Sequence, residues 1–170
     1  MTEALKRLNA LSPDEAQAEL LKCCGSTNWA RRMALRRPFQ EMREVAEAAD
    51  RIWRALEEKD WLEAFSHHPK IGEKKAAVAQ TSASQRWSEE EQSGTRAAST
   101  EVLAELAEAN RAYEERFGYI FIVCATGKSS EEMLALLKER LGNDPQTELR
   151  VAAEEQRRIM QLRLKKLLQG

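Results

Sequence analysis

The sequence of 170 residues has little that would tie it to a metal, a membrane or an oxidising compartment. Its three cysteines include no C-x-x-C pair, which argues against a thiolate zinc site, and an odd number cannot form a complete set of internal disulfides. No apolar run approaches the roughly 20 residues of a membrane-spanning helix. The first residues lack the uninterrupted apolar core of a secretory signal. The sequence therefore predicts a protein of a reducing, cytoplasmic compartment.

Chain-breaking residues and charge of one sign are also scarce. Seven glycines and four prolines are few for this length, whereas Ala, Leu, Glu, Arg and Lys are abundant, which favours helices. Lys and Arg number 27 and Asp and Glu number 28, so the formal net charge is -1. We therefore expect no attraction of the whole chain to nucleic acid or to an acidic membrane.

Helical patterns account for most of the chain. A capping box is formed by Ser12 and Glu15, with Pro13 at the first helical position, and it predicts a helix that runs to about Cys24. Apolar periodicity, caps and chain breakers predict further helices through 28–37, 39–60, 61–67, 88–116, 129–142 and 146–168.

Two stretches do not fit the helical pattern. Residues 117–127, "FGYIFIVCATG", are apolar and β-branched like a strand. Since no second strand is predicted, we expect an extended or helical segment buried in a helical core. Residues 71–87 lack periodicity and are predicted to form one long loop, with a helical turn around 75–80. The sequence thus predicts an all-α fold: a single domain over residues 1–170, built as a helical bundle of about seven to nine helices with one long loop.

The only two histidines, His67 and His68, stand side by side before Pro69, which should end a helix there. Histidine is suited to proton transfer near neutral pH. Adjacent helical residues point about 100° apart, so at most one imidazole faces a pocket. The pattern fits a catalytic histidine and also two ordinary residues at a helix end. Glu63 and His67, four residues apart, could share a metal, but one such pair does not make a di-metal site.

A second polar pattern lies at Ser88 and Glu91. It fits an S-x-x-E capping box at the start of the helix predicted from Ser88, and capping alone would explain it. The same geometry would place Glu91 and Gln92 in the first helical turn, where backbone N–H groups favour an anionic ligand. Both interpretations stay open on the pattern alone.

Arg163 lies on the apolar stripe of the last predicted helix, midway between Ile159 and Leu167. An arginine that faces inwards needs a partner, because an unpaired buried charge is costly. The partner is either a carboxylate of the chain or a substrate carboxylate bound by the guanidinium fork. If Arg163 instead faced outwards, the basic last helix would suit a non-enzymatic helical interaction module.

Five segments, in their order along the chain, resemble the 2-oxo-4-hydroxy-4-carboxy-5-ureidoimidazoline (OHCU) decarboxylases of urate degradation. The likeness covers nearly the whole chain, and these segments carry it: "LNALSPDEAQAELLKCCGSTNWARRMALRRPF", "HHPKIG", "WSEEEQSG", "FGYIFIVCATGKS" and "ELRVAAEEQRRIMQLRL". The resemblance implies an all-α enzyme that acts on a small-molecule substrate without a cofactor or a metal. It also implies a homodimer and (S)-allantoin as the product.

The resemblance also implies roles for individual residues. It makes His68, rather than His67, the catalytic imidazole, with Glu91 and Arg163 as the other catalytic residues. It implies the following substrate-binding residues: Pro69, Ser88, Glu91, Gln92, Phe121, Ile122, Val123, Cys124, Ala125 and Arg163. A metal-dependent hydrolase and a non-enzymatic helical interaction module stay open as alternatives.

Overall fold

A computed structural model of the chain describes residues 1–72 and 80–169, with the side chains of residues 96 and 97 left out. These residues form nine α-helices, one short 3₁₀ helix and no strand. The α-helices are α1 (Glu3–Ala10), α2 (Pro13–Leu21), α3 (Thr27–Arg36), α4 (Met42–Arg54), α5 (Glu58–Ser66), α6 (Ser82–Glu91), α7 (Thr100–Phe117), α8 (Ser130–Arg140) and α9 (Pro145–Gln169). The predicted all-α fold is confirmed.

Hydroxyl side chains begin most of these helices. The predicted capping box is present at α2, where Ser12 Oγ accepts the Glu15 N–H at 3.3 Å and Glu15 Oε2 accepts the Ser12 N–H at 2.9 Å. Single hydroxyl caps accept a first-turn N–H at Thr2, Ser26, Thr81, Ser99 and Ser129. Each bond provides a partner for a backbone N–H that has none within its own helix.

The chain divides into two compact units. The first comprises Met1–Ala64 and Arg157–Gly170, and two tryptophans dominate its core. Trp29 on α3 is fully buried and donates its indole N–H to the Ala49 carbonyl oxygen on α4 at 3.2 Å, and Trp53 on α4 is also buried. Large aromatic side chains bury much apolar area, and the hydrogen bond satisfies the one polar group of the Trp29 ring.

The second unit, Phe65–Gln156, contains a buried network around Glu148. The Tyr113 hydroxyl donates to Glu148 Oε1 at 2.6 Å and Arg140 Nε donates to the same oxygen at 2.7 Å. Arg140 Nη1 donates to the carbonyl oxygen of Ile122 at 2.6 Å. The guanidinium thus joins a buried carboxylate to residues 121–125, which are buried and belong to neither a helix nor a strand. Charge-assisted hydrogen bonds of this kind fix a segment that has no strand to pair with.

The prediction of one continuous helix over 88–116 is wrong. The described chain instead has α6, a 3₁₀ helix over Ser93–Ala97 and then α7. Thr81 Oγ1 accepts the Ser84 N–H at 3.1 Å and so begins α6 six residues before the predicted start. Part of the predicted loop, 82–87, is therefore helical. Residues 73–79, which hold most of the predicted helical turn, lie outside the described residues.

Candidate active site

His68 follows the end of α5, and its backbone N–H donates to the Phe65 carbonyl oxygen at 3.2 Å. Helix α5 ends at Ser66, one residue earlier than predicted, and Pro69 comes directly after His68. His68 is 8% exposed, and its Nε2 lies 2.7 Å from Oε1 of Gln156. A buried, hydrogen-bonded imidazole at a helix end is thus held in a defined orientation within the second unit.

Gln156 is a residue that the sequence analysis missed. It lies on α9, is 0% exposed and contacts a histidine 88 positions earlier in the chain. The signal that could have found it is the one that singled out Arg163: a polar residue on the apolar stripe of the last helix. Its partner could not be read from the sequence, because the contact joins distant parts of the chain.

Ser88 and Glu91 lie in the last two turns of α6, not in a first turn. The interpretation of these residues as a capping box is therefore wrong, and so is the anion site at a helix N-terminus. Both side chains are buried nevertheless, Ser88 at 3% and Glu91 at 8% exposure. Gln92 follows Glu91 and is the C-cap residue of α6. Burying polar side chains costs free energy, and this pair does not cap a helix. Helix formation therefore does not explain why Ser88 and Glu91 are buried.

The side chains of Ser88 and Gln92 contact residues on both sides of 73–79. Gln80 Nε2 donates to Ser88 Oγ at 2.9 Å, and the Gly72 N–H donates to Gln92 Oε1 at 3.0 Å. Gly72 has a φ of 90°, in the left-handed region that suits glycine. The glycine that follows the His-Pro pair thus lets the backbone turn and present its N–H to Gln92.

Residues 121–125 are buried along their whole length, and two basic side chains hold their backbone. Besides the bond from Arg140 to Ile122, Lys128 Nζ donates to the carbonyl oxygen of Cys124 at 2.7 Å. Burial raises the pKa of the Cys124 thiol, and the nearby Glu155 acts in the same direction. The thiol is therefore protonated at neutral pH, so Cys124 is not poised as a nucleophile.

Arg163 belongs to the first unit and is 3% exposed, so it faces inwards as the apolar stripe predicts. Burial raises the pKa of the Cys24 thiol to about 12, while the positive charge of Arg163 acts in the opposite direction on both Cys23 and Cys24. This buried position is not that of a cation on an exposed binding face. That Arg163 meets His68 and Glu91 at one site stays a prediction.

Glu63, the acid of the weak metal pattern, has a structural role at the start of α3. Its carboxylate accepts the Thr27 N–H at 2.8 Å and the Thr27 hydroxyl at 2.9 Å. A carboxylate at a helix N-terminus is favoured by the helix dipole. Among residues 1–72 and 80–169, no three His, Cys, Asp or Glu side chains come together as a potential metal site. Over the same residues, no helix has the length and apolar character needed to cross a membrane.

Comparisons with known proteins agree with the resemblance seen in the sequence. The family model described as OHCU decarboxylase matches residues 9–165. The uric acid degradation bifunctional protein TTL of Arabidopsis thaliana is 40% identical over 145 residues, which are 85% of this chain and 45% of that protein. The 2-oxo-4-hydroxy-4-carboxy-5-ureidoimidazoline decarboxylase of Amia calva is 48% identical over 60 residues, which are 35% of this chain and 34% of that protein. The matched parts thus span less than half the length of these two relatives.

Two solved structures share the fold. A crystal structure of OHCU decarboxylase in the presence of (S)-allantoin superposes with a TM-score of 0.77 at 42% identity, covering 89% of this chain and 98% of that chain. A crystal structure of (S)-allantoin synthase superposes with a TM-score of 0.70, covering 96% of this chain and 54% of that one. Its identity is 19%, so this second likeness concerns the fold alone. On the family match and on the first structure, the chain belongs to the OHCU decarboxylase family.

Proposed function

We propose that the chain decarboxylates OHCU to (S)-allantoin in urate degradation, without a cofactor. Membership of the family supports this activity. The observation that supports it best is the burial of His68, Ser88 and Glu91 in the second unit, because the resemblance makes all three of them site residues. Polar side chains are costly to bury, and their retention in a core is typical of functional sites.

The chemistry of the substrate explains why no cofactor is needed. One ring carbon bears a hydroxyl and a carboxylate and adjoins a ring C=N bond. When the bond to the carboxylate breaks, its electron pair forms a C=C bond to the C=N carbon, the nitrogen takes up a proton and carbon dioxide leaves. The hydroxyl then loses its proton as the carbonyl forms, and the former C=N carbon takes up a proton on one face. The substrate is thus its own electron sink, and the enzyme has to orient it and move protons.

We assign these tasks to the residues that the resemblance implies. His68, paired with Glu91, acts as the general acid and base that moves the protons. Arg163 binds an anionic edge of the substrate through its guanidinium fork. Gln92 and the main chain of residues 121–125 hold the ring and the ureido group. Apolar surroundings of the carboxylate favour its loss as neutral carbon dioxide.

The experiment generates the unstable substrate from urate in situ and follows the formation of (S)-allantoin by circular dichroism. The protein without substitutions should form (S)-allantoin faster than the reaction without protein. His68→Ala should lower the turnover by a factor on the order of 10² to 10⁴, the usual contribution of a general acid or base. His67→Ala is the matched control and should retain turnover. Near-normal turnover of a folded His68→Ala protein would refute the role of His68, and no acceleration by the unchanged chain would refute the function.

Three further parts belong to the proposal. We propose that residues 1–170 act as one decarboxylase domain, which the extent of the family match supports. We also propose a homodimer, as the resemblance implies. A cytoplasmic location completes the proposal, and the three cysteines support it because all of them are free and buried, as is usual in a reducing compartment.

A further inference from the structure

We propose that Gln156 is a positioning residue that fixes which nitrogen of His68 carries the ring proton. Its amide oxygen holds the proton on Nε2, so that Nδ1 is the nitrogen that exchanges a proton during the reaction. This inference deepens the proposed function and depends on it only for the last step. The tautomer itself can be observed without any substrate.

The first observation is the contact between the two side chains. Nε2 of His68 lies 2.7 Å from Oε1 of Gln156, and both side chains are buried. A neutral imidazole donates from one nitrogen and accepts at the other, whereas an amide oxygen only accepts. Nε2 must therefore carry the hydrogen, and the basic lone pair of the neutral ring lies on Nδ1.

The second observation is the other end of the same amide. Nε2 of Gln156 is buried and has no hydrogen-bond partner among the residues that the structure describes. A buried carboxamide with a purely structural role normally satisfies both its donor and its acceptor. Gln156 occupies an apolar-stripe position where a hydrocarbon side chain would avoid this loss. The contact that its amide makes is the one to His68, which favours a role in orienting the imidazole.

Gln161, five residues further along α9, shows what a structural carboxamide looks like here. Its Nε2 donates to the Ala46 carbonyl oxygen at 2.9 Å and to Asp50 Oδ1 at 2.6 Å. These bonds join α9 to α4 within the first unit. Gln161 therefore provides a matched control: the same residue type, on the same helix, without a histidine partner.

The test reads the tautomer of His68 by ¹⁵N NMR. A His67→Gln background leaves His68 as the only histidine, so its ring nitrogens give the only imidazole signals. In this background we expect the Nε2–H form at neutral pH. Gln156→Met keeps the length of the side chain, removes the acceptor and should lose the preference for Nε2–H. Gln156→Glu restores an acceptor oxygen and should restore the preference, whereas Gln161→Met should leave it unchanged.

The kinetic test separates positioning from stability. Gln156→Met should lower kcat at least about 10-fold with KM changed less than about 3-fold, because a wrong tautomer impairs proton transfer more than binding. An Nδ1–H form in the His67→Gln background would overturn the proposal even if Gln156→Met failed to fold. An unchanged tautomer or an unchanged kcat in Gln156→Met would also overturn it. If the unchanged chain forms no allantoin, the proposed function fails, and the tautomer still decides whether Gln156 orients His68.

Discussion

Two of the three Ser-x-x-Glu segments of this chain have opposite structural roles. At Ser12 and Glu15 the pattern is a complete capping box on the exposed start of α2. At Ser88 and Glu91 the same pattern lies in the second half of α6, with both side chains buried. The pattern therefore caps a helix only where no helix has begun before it.

The residues around each pattern decide between the two outcomes. Pro13 follows Ser12 at the first helical position, where its fixed φ favours the start of a helix. Before Ser88, Thr81 has already begun α6, and the helix continues through the pattern. A buried Ser-x-x-Glu pair that caps nothing is a candidate for binding or catalysis, whereas an exposed one is fully explained by capping.

The sharpest test of the comparison replaces the glutamate of each pattern. Glu91→Gln should lower the formation of (S)-allantoin by a factor on the order of 10² to 10⁴, because an amide cannot carry out the proton transfer that we propose for Glu91 and His68. Glu15→Gln should keep turnover within about 2-fold of the unchanged chain, since Glu15 is an exposed cap. The circular dichroism assay measures both variants. Equal losses in the two would show that Glu91 acts through stability rather than through chemistry.

The same comparison explains which parts of the fold could be predicted. Helices α2 and α9 have prolines at their starts, and Ser129 caps α8, so local signals marked all three. The region of α6, the 3₁₀ helix and α7 is rich in Ala, Ser, Gln and Glu, and apolar periodicity did not divide it. Its division depends on the hydroxyl caps Thr81 and Ser99, which resemble many other hydroxyl residues nearby.

For the candidate site, local sequence signals predicted less than they did for the fold. The identity of His68 came from the resemblance, and the inward position of Arg163 came from the period of one helix. The burial of Glu91 and the contact between Gln156 and His68 depend on tertiary packing. No local pattern encodes a contact across 88 positions. The resemblance singled out Glu91 as a site residue, whereas the capping pattern assigned it a wrong local structure.

A second test replaces the serine of each pattern and separates stability from turnover. Ser12→Ala removes an N-cap and should lower the free energy of unfolding by about 1 kcal/mol without changing turnover. Ser88→Ala removes a proposed substrate contact and should lower turnover at subsaturating substrate by about 10-fold, the equivalent of one hydrogen bond. Urea unfolding and the allantoin assay measure the two quantities. If Ser88→Ala lowered stability alone, the buried serine would be structural.

The smallest expected effect is the pH dependence of stability that comes from the exposed capping box. Hydrogen bonds from the Ser12 hydroxyl and then from its N–H hold the pKa of Glu15 below its ordinary value of 4.5. Because the folded-state pKa is the lower one, this stabilisation is present above pH 4.5 and is lost as the pH falls through the folded-state value. The difference in free energy of unfolding between the unchanged chain and Glu15→Gln should therefore shrink as the pH is lowered from about 6 to about 3.

Urea unfolding at a series of pH values measures this difference. Asp144 also has a lowered pKa, because the Thr147 hydroxyl and N–H donate to it, but it titrates in both proteins and cancels in the difference. A difference that stayed constant or grew as the pH fell would mean that the Glu15 carboxylate does not stabilise α2. The first Ser-x-x-Glu pattern would then lose its role as a cap, and the contrast with Ser88 and Glu91 would rest on burial alone.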